Sequence, residues 1–200
     1  MYRIPTHIGI IPDGNRRWAT VHGLNKEEGY EYGLQPGLEL LRYARQKGIK
    51  ELTYYGFTVD NCKRPKEQVV AFANACWSAV KMIEDEGVSL RVVGNTNSPC
   101  FPSQLIPYTQ NKVDEDKMKV NFLVNYGCEW DMRNNWASKE IPRIDLVIRW
   151  GGMRRLSGFL PLQTVYSDFY IVDDLWPEFK ESHIDDALEW YSHQDVTLGG

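Results

Sequence analysis

The sequence predicts an α/β fold: a single domain over residues 1–200, with a mostly parallel central sheet of about six strands covered by helices on both faces. Three observations lead there. Short runs rich in β-branched and aromatic residues recur along the chain. Stretches with helical spacing separate them. Several of the runs are apolar nearly throughout, as expected for parallel strands buried on both faces.

The first run is His7–Ile11. A helical stretch over 28–47 follows, with Leu34, Leu38, Leu41 and Ala44 at helical spacing and Gly48 as its stop. Leu52–Phe57 is the second strand. Pro65, Lys66 and Glu67 then open a helix over 66–86. Leu90–Gly94 is the third strand, 102–117 reads as helix, and Val120–Tyr126 is the fourth strand. A helix over 131–139 precedes the strand Ile144–Arg149. Asp168–Val172 is the last strand, before a helix over 183–194. No internal repeat or low-complexity tract interrupts this order.

Composition narrows the function classes. The chain has 200 residues, 42% of them hydrophobic, and a net charge of −4, which argues against a nucleic-acid partner because that needs a basic face. Cys62, Cys76, Cys100 and Cys128 are widely spaced and read as free thiols rather than a zinc site. No apolar run approaches the length of a membrane span, and the start MYRIPTH has no apolar core of a signal peptide. The expected compartment is the cytoplasm.

In parallel sheets ligands bind beyond the carboxyl ends of the strands. Here those ends are polar, Gly-rich and Arg-bearing. The first runs into Pro12-Asp13-Gly14-Asn15-Arg16-Arg17, the second into Thr58 through Arg64, the fourth into Asn125-Tyr126-Gly127, and the fifth into Arg149 through Ser157. Crowded arginines suit an anion such as phosphate, which the guanidinium fork binds. Ser157 stands before an expected helical start, another place for an anion. Asp13 is either an ion-pair partner or a ligand holding Mg²⁺ against diphosphate oxygens. Asp168 could be a second metal ligand. No nucleotide-binding glycine fingerprint is present.

These segments together resemble the signatures of the cis-prenyltransferases, the undecaprenyl diphosphate synthase family. Ile11 to Ala19 resembles its first motif, and Phe57 to Pro65 its FSxEN…RP segment. Asn125-Tyr126-Gly127, the run from Asp145 through Arg149, Gly151-Gly152, Arg155 and Ser157 to Phe159, and Leu175-Trp176-Pro177-Glu178-Phe179 follow in the family's order. The resemblance implies an enzyme that joins an allylic diphosphate to isopentenyl diphosphate with Mg²⁺, forming a Z double bond. By the same resemblance Asp13 holds the metal, with Asp168 in place of the family's metal-binding glutamate, and Asn15 lies near the site of proton loss. Gly14, Arg16 and Arg17 bind the allylic diphosphate, and Arg149, Arg155 and Ser157 the isopentenyl diphosphate. Trp18, Lys26, Tyr30 and Thr58 stand at substrate-binding positions, and Asn61 and Arg64 lie in the mobile segment that covers the site. A homodimer without a transmembrane segment, with transient membrane contact, is implied as well.

The chain also departs from the pattern. Tyr30 follows Gly29 where the family has histidine, Lys26 stands at an arginine position, and Cys62 replaces a tryptophan. Met153 and Arg154 occupy positions where an acid or histidine is common. Leu160-Pro161-Leu162 replaces an aromatic before Gln163, the link from Trp130 to Ile144 is short, and the usual arginines before Gly199-Gly200 are missing. Several of these changes resemble the lavandulyl-type synthases, which join two allylic units head to middle. In that subfamily the asparagine of DGN is replaced, so Asn15 favours ordinary head-to-tail extension. An inactive partner subunit is a third reading, disfavoured because such chains lose Asp13 and the phosphate arginines. In this family the helix matching 66–86 walls the tunnel for the growing chain. Trp77 on that helix is expected either to cap the tunnel or to face the sheet or a partner. A capped tunnel implies a short product, about ten to twenty carbons.

Overall fold

A computed structural model describes residues 3–195; Gly199-Gly200 and the segment before them lie outside the described residues. Six strands form one sheet: β1 His7–Ile11, β2 Glu51–Tyr55, β3 Ser89–Val93, β4 Lys119–Leu123, β5 Leu146–Arg149 and β6 Asp168–Ile171. Every pairing is parallel, and the order is β3-β4-β2-β1-β5-β6. From β1 the chain moves one way to β2, β3 and β4, and later returns to β5 and β6 on the other side. The crevice between the ends of β1 and β5 is therefore the switch point where α/β sheets bind ligands.

The helices are α1 Asn15–Val21, α2 Gly29–Tyr32, α3 Leu34–Gln46, α4 Lys66–Glu84, α5 Cys128–Arg133 and α6 Glu181–Ser192. One sheet face, with Ile8, Ile10, Leu52, Val92, Val120 and Ile148, packs on α3, α4 and α6 through Leu40, Leu41, Val80, Ile83, Ile184 and Ala187. All of these are buried, and they make the larger core. The second face carries Ile11, Tyr55, Leu123 and Val147 against Ile141, Phe159 and Leu160. Among the described residues only the short α5 is helical on that side; the rest of the cover is irregular chain over 134–145 and 150–167. Phe159 reaches the sheet because Gly9 has no side chain: a Cβ there would lie 2.6 Å from the ring.

Several helical expectations are corrected. The stretch 28–47 is two helices, parted at Gly33, where a Cβ would lie 2.4 Å from Asn15 Oδ1. The stretch 102–117 is only the 3₁₀ segment Ser103–Gln110, since Pro107 inside it denies an α-helical N–H. The helix expected over 131–139 is α5, which ends early because Asn135 and Trp136 take positive φ of 55° and 51°. No helix begins at Ser157. That segment turns through left-handed Ser157, Gly158 and Leu160. Finally, α1 has no counterpart in the sequence reading.

A polar network lies buried on the second sheet face. His7 Nδ1 donates to the Arg143 carbonyl at 3.1 Å, so its Nε2 accepts from Thr53 Oγ1 at 2.8 Å. Asn121 Nδ2 donates to Glu51 Oε1 at 2.7 Å and to Thr53 Oγ1 at 3.0 Å. Burial lowers the His7 pKa below its ordinary 6.5, against the nearby Glu51 and Asp145, which raise it. The unfolded chain therefore binds the extra proton first as pH falls through 6.5, and stability drops there. The denaturant midpoint should fall between about pH 7.5 and 5.5, and His7→Gln should flatten that fall. An identical slope in the variant would assign the effect to other groups.

Candidate active site

The site grows from the ends of β1 and β5. After Ile11 the chain turns, the Asp13 amide donating to the Ile11 carbonyl at 2.9 Å. Gly14 follows at φ 121°, a conformation open to glycine, and α1 begins at once. The turn is held from outside: Trp176 N donates to the Asp13 carbonyl at 3.1 Å, and a Cβ on Gly14 would meet Leu175 at 2.9 Å. The motif containing Leu175 and Trp176 thus braces the acid, a role the sequence did not reveal.

Arg149 ends β5, paired in register with Ile11, and is 4% exposed. Its Nη2 donates to Asp13 Oδ2 at 2.8 Å, and its Nη1 donates to Ser157 Oγ at 3.0 Å and to the Arg155 carbonyl. Its Nε has no partner. Arg17 lies 3.4 Å from the other Asp13 oxygen and donates to the Gly151 carbonyl at 2.9 Å. One carboxylate therefore sits between two guanidinium groups, the buried Arg149 and the exposed Arg17. The Arg155 and Ser157 side chains are exposed beside them.

A second cationic wall faces this one. Arg64 Nη1 donates to the Tyr30 hydroxyl at 3.0 Å, and Arg16 Nη1 donates to Gln68 Oε1 at 3.2 Å. Burial lowers the Arg64 pKa, and the nearby Arg16 lowers it further. Burial raises that of Tyr30, while Arg64 and Arg16 pull it back. Two like charges held together at the edge of a cleft suit a multiply charged anion.

Behind the cations runs a narrow apolar cleft of about 70 Å³ between α3 and α4. Pro12, Asn15, Tyr30 and Phe72 lie along its wall, with Ala75, Cys76, Ala79 and Ile83 from α4, and Tyr54, Gly56 and Phe122 from the sheet. The Tyr30 and Phe72 rings stack at 4.5 Å. Gly56 makes room for Phe122, whose ring would lie 3.0 Å from a Cβ there. Asn15 Nδ2 donates to the Pro12 carbonyl at 3.3 Å, while its Oδ1 is buried without a partner.

Other sequence-predicted residues lie elsewhere. Thr58 and Asn61 cap the 3₁₀ turn Val59–Lys63 reciprocally, each side chain accepting the other's backbone amide at 3.2 Å. Trp18 stacks on His22 and lies tilted against Tyr32 outside the cleft lining, and Lys26 is exposed. Trp77 does not line the cleft. It faces Tyr108 at 6.4 Å between ring centroids, on the far side of α4. Asp168 is not brought to Asp13: it pairs with Leu146, three residues before Arg149, and bonds Arg3 at 2.7 Å. Parallel strands put that about 10 Å down the sheet from the site. Asn125 is buried and holds the chain around the site rather than lining it.

The donor set fits magnesium in one way. Among the described residues no group of three or more His, Cys, Asp or Glu side chains could form a protein-only cage. A single carboxylate amid arginines matches the habit of Mg²⁺, which takes one or two protein carboxylates when phosphate oxygens supply further ligands.

A prenyltransferase family model described as undecaprenyl diphosphate synthase matches residues 11–139 and 132–199. The chain is 31% identical to the (2E,6E)-farnesyl-diphosphate-specific ditrans,polycis-undecaprenyl-diphosphate synthase of Pasteurella multocida, covering 98% of this chain and 95% of that one. It is 34% identical to the geranylgeranyl-diphosphate-specific tritrans,polycis-undecaprenyl-diphosphate synthase of Aeropyrum pernix, with 98% of each covered. Among solved structures, lavandulyl diphosphate synthase from Lavandula x intermedia, in complex with dimethylallyl diphosphate, superposes with a TM-score of 0.83. It is 26% identical, and the match covers 98% of this chain and 99% of that one.

Proposed function

The chain belongs to the undecaprenyl diphosphate synthase family of cis-prenyltransferases, and from that premise we propose that it condenses an allylic diphosphate with isopentenyl diphosphate to a short Z-prenyl diphosphate, using Mg²⁺. The observation that carries the reading is the pair of cationic walls around one carboxylate, opening onto an apolar cleft.

Each part has a task. Arg16, Arg17 and Gly14 hold the allylic diphosphate, with its hydrocarbon in the cleft. Arg149, Arg155 and Ser157 hold the isopentenyl diphosphate. The allylic C–O bond breaks, a carbon–carbon bond forms to the terminal alkene carbon C4 of isopentenyl diphosphate, positive charge moves to C3, and a proton leaves C2 to give the new C2–C3 double bond. Asp13 would hold Mg²⁺, which would supply positive charge against the departing diphosphate. The arginines stabilise the diphosphate's charge in a partly dry site. Asn15 Oδ1, buried and unpaired at the cleft wall, suits the region where the proton is lost. The free thiols suit a reducing cytoplasm, and no described helix is long and apolar enough to cross a membrane. Membrane contact during product release would be transient. Exposed Met132 on α5, with Trp136, Leu162 and Val165 on the irregular cover, supports a homodimer through that face. Light scattering on the purified protein tests the homodimer.

A second reading, head-to-middle joining of two allylic diphosphates, is favoured by the similarity to lavandulyl diphosphate synthase. Incubation with Mg²⁺ and dimethylallyl diphosphate alone, against the same with isopentenyl diphosphate, separates the two. Regular extension requires isopentenyl diphosphate. A branched product from dimethylallyl diphosphate alone would establish the irregular reaction.

Product length is tested at the sheet wall of the cleft. Phe122→Ala should give longer products by mass spectrometry of the dephosphorylated chains, at a cost of about 3–5 kcal/mol in stability. Trp77→Ala should cost about 2–3 kcal/mol, as expected for a half-buried ring, and leave length unchanged. Longer products from Trp77→Ala but not Phe122→Ala would reverse the assignment.

A further inference from the structure

His183 on α6 is a buried titratable group with no part in the chemistry above. Its ring bonds two other segments. Nδ1 accepts from Trp150 Nε1 at 3.2 Å and from the Lys180 amide at 3.3 Å. An indole N–H and a backbone N–H can only donate, so Nδ1 carries no proton. The ring proton is on Nε2, which donates to Asp174 Oδ2 at 3.1 Å. Lys180 Nζ donates to the same oxygen at 3.1 Å and holds the Asp174 carboxyl below its ordinary range, so it stays an acceptor. Capping α6 uses the Lys180 amide alone; the bonds to Trp150 and Asp174 are additional to it.

Both additional bonds lead to Gly151. Trp150 precedes it in the chain, fully buried just after β5, with its amide donating to the Ile11 carbonyl at 3.2 Å. Asp174 meets it from the other side, because the Gly151 amide donates to the Asp174 carbonyl at 2.9 Å. Gly151 takes φ 83°, and its own carbonyl accepts from Arg17 Nη1 at 2.9 Å. A Cβ on Gly151 would collide with the Arg17 guanidinium, so this peptide lies directly against that side chain. The Arg17 side chain is 43% exposed, and the Gly151 carbonyl and Asp13 hold it where packing does not. One imidazole thus braces, from behind, the two residues that fix Gly151 in place.

We propose that His183 is a positioning residue for the allylic diphosphate: the Trp150–His183–Asp174 bridge fixes the Gly151 carbonyl and, through it, the Arg17 guanidinium. The proposal rests on the assignment of Arg17 to that substrate. Without the bridge the Trp150 N–H is buried with no acceptor, and the segment carrying Asp174 is free to shift against Gly151. Arg17 then has more positions open to it, and the diphosphate must order it on binding. The isopentenyl side is insulated from this. The Arg149 side chain is held by Asp13, Ser157 and the Arg155 carbonyl, none of which bonds His183.

The test compares His183→Phe, which keeps a ring and loses every bond, with His183→Asn, which keeps an acceptor for Trp150 and Lys180. Steady-state kinetics vary each substrate in turn. Calorimetry with geranyl diphosphate and a chelator reads allylic affinity without turnover. His183→Phe should raise the allylic KM and the Kd for geranyl diphosphate roughly fivefold, and leave KM for isopentenyl diphosphate within about twofold. His183→Asn should recover most of that loss. In an Arg17→Ala background His183→Phe should add no further loss, because the group it positions is gone. Nitrogen NMR of the His183 ring at about pH 8, assigned with His183→Asn, should show the proton on Nε2. Should His183→Phe not fold, Trp150→Phe removes only the N–H, its ring kept by Trp176 at 4.9 Å and Phe179 at 6.1 Å. It should show the same selective loss, about twofold. A loss shared equally by both substrates, additive losses with Arg17→Ala, or a proton on Nδ1 would each overturn the proposal. If Arg17→Ala itself left the affinity for geranyl diphosphate unchanged, the allylic assignment would fail and take the proposal with it. A clear Arg17→Ala loss beside unchanged His183→Phe and Trp150→Phe would overturn the proposal alone.

Discussion

Replacing Asp13 with asparagine should cost a thousandfold or more in turnover while the protein stays folded. Losing metal-assisted departure of diphosphate removes several kcal/mol of barrier stabilisation, on the order of a thousandfold per 4 kcal/mol. The fold should tolerate the change because Arg149 keeps Ser157 Oγ and the Arg155 carbonyl, and the turn keeps its bond from Trp176 N. Asp13 has a second effect in the free protein: it partly neutralises Arg149 and Arg17. Removing its charge frees both guanidinium groups for an anion. Inorganic diphosphate, in the presence of a chelator, should therefore bind Asp13→Asn at least as tightly as it binds the wild type. Titration calorimetry and steady-state rates with Mg²⁺ read the two effects separately. Near-normal turnover would sink the metal role, and loss of diphosphate binding would show that the turn had collapsed.

The opposite behaviour of these two measurements depends on which relationships a sequence can carry. The strands were legible because runs such as His7–Ile11 and Leu146–Ile148 are buried on both faces, and burial leaves its mark in composition. The strand ends were legible as a site for the same reason: arginines and glycines beside apolar runs have no packing role. Direction was not legible. Trp77 shares α4 with Phe72 and Cys76, yet only those two line the cleft, because the facing of a half-buried ring is set by what packs opposite it. Register was not legible either. Asp168 and Ile171 belong to one short strand, but pairing with β5 puts only the Ile171 end at the site. Thr58 and Asn61 looked free to meet a ligand, whereas the backbone amides of their own turn take up their side-chain oxygens. The short α1 lay hidden because the residues that open it, Asn15, Arg16 and Arg17, read first as chemistry. Trp176 shows the converse. It was visible as part of a motif, but its bonds to the Asp13 turn and, through Nε1 at 2.8 Å, to the Gly33 carbonyl are long-range.

Arg149→Ala and Arg155→Ala should separate binding from assembly of the site. Both side chains are assigned to the isopentenyl diphosphate, and a hydrogen bond to a charged group contributes about 1.5–3 kcal/mol, or roughly 10- to 150-fold in affinity. The Arg155 guanidinium is exposed, so its loss should raise KM for isopentenyl diphosphate by that factor and leave the melting temperature unchanged. Arg149 is buried and ties β5 to two segments, the Asp13 turn and the turn that carries the Arg155 carbonyl and Ser157. Its removal leaves a cavity and an acceptor without its donor, at a cost of about 3 kcal/mol in stability. Because Arg149 also orients Asp13, Arg149→Ala should lower kcat as well as raise KM for isopentenyl diphosphate. Arg149→Lys keeps the charge and cannot span Asp13 and Ser157 together, so it should recover stability more than kcat. Steady-state kinetics with each substrate varied in turn, together with thermal melts, give the comparison. If Arg155→Ala weakened the allylic substrate as much as isopentenyl diphosphate, the two diphosphates would not occupy separate subsites. The assignment of Arg16 and Arg17 to the allylic diphosphate would then fail with it.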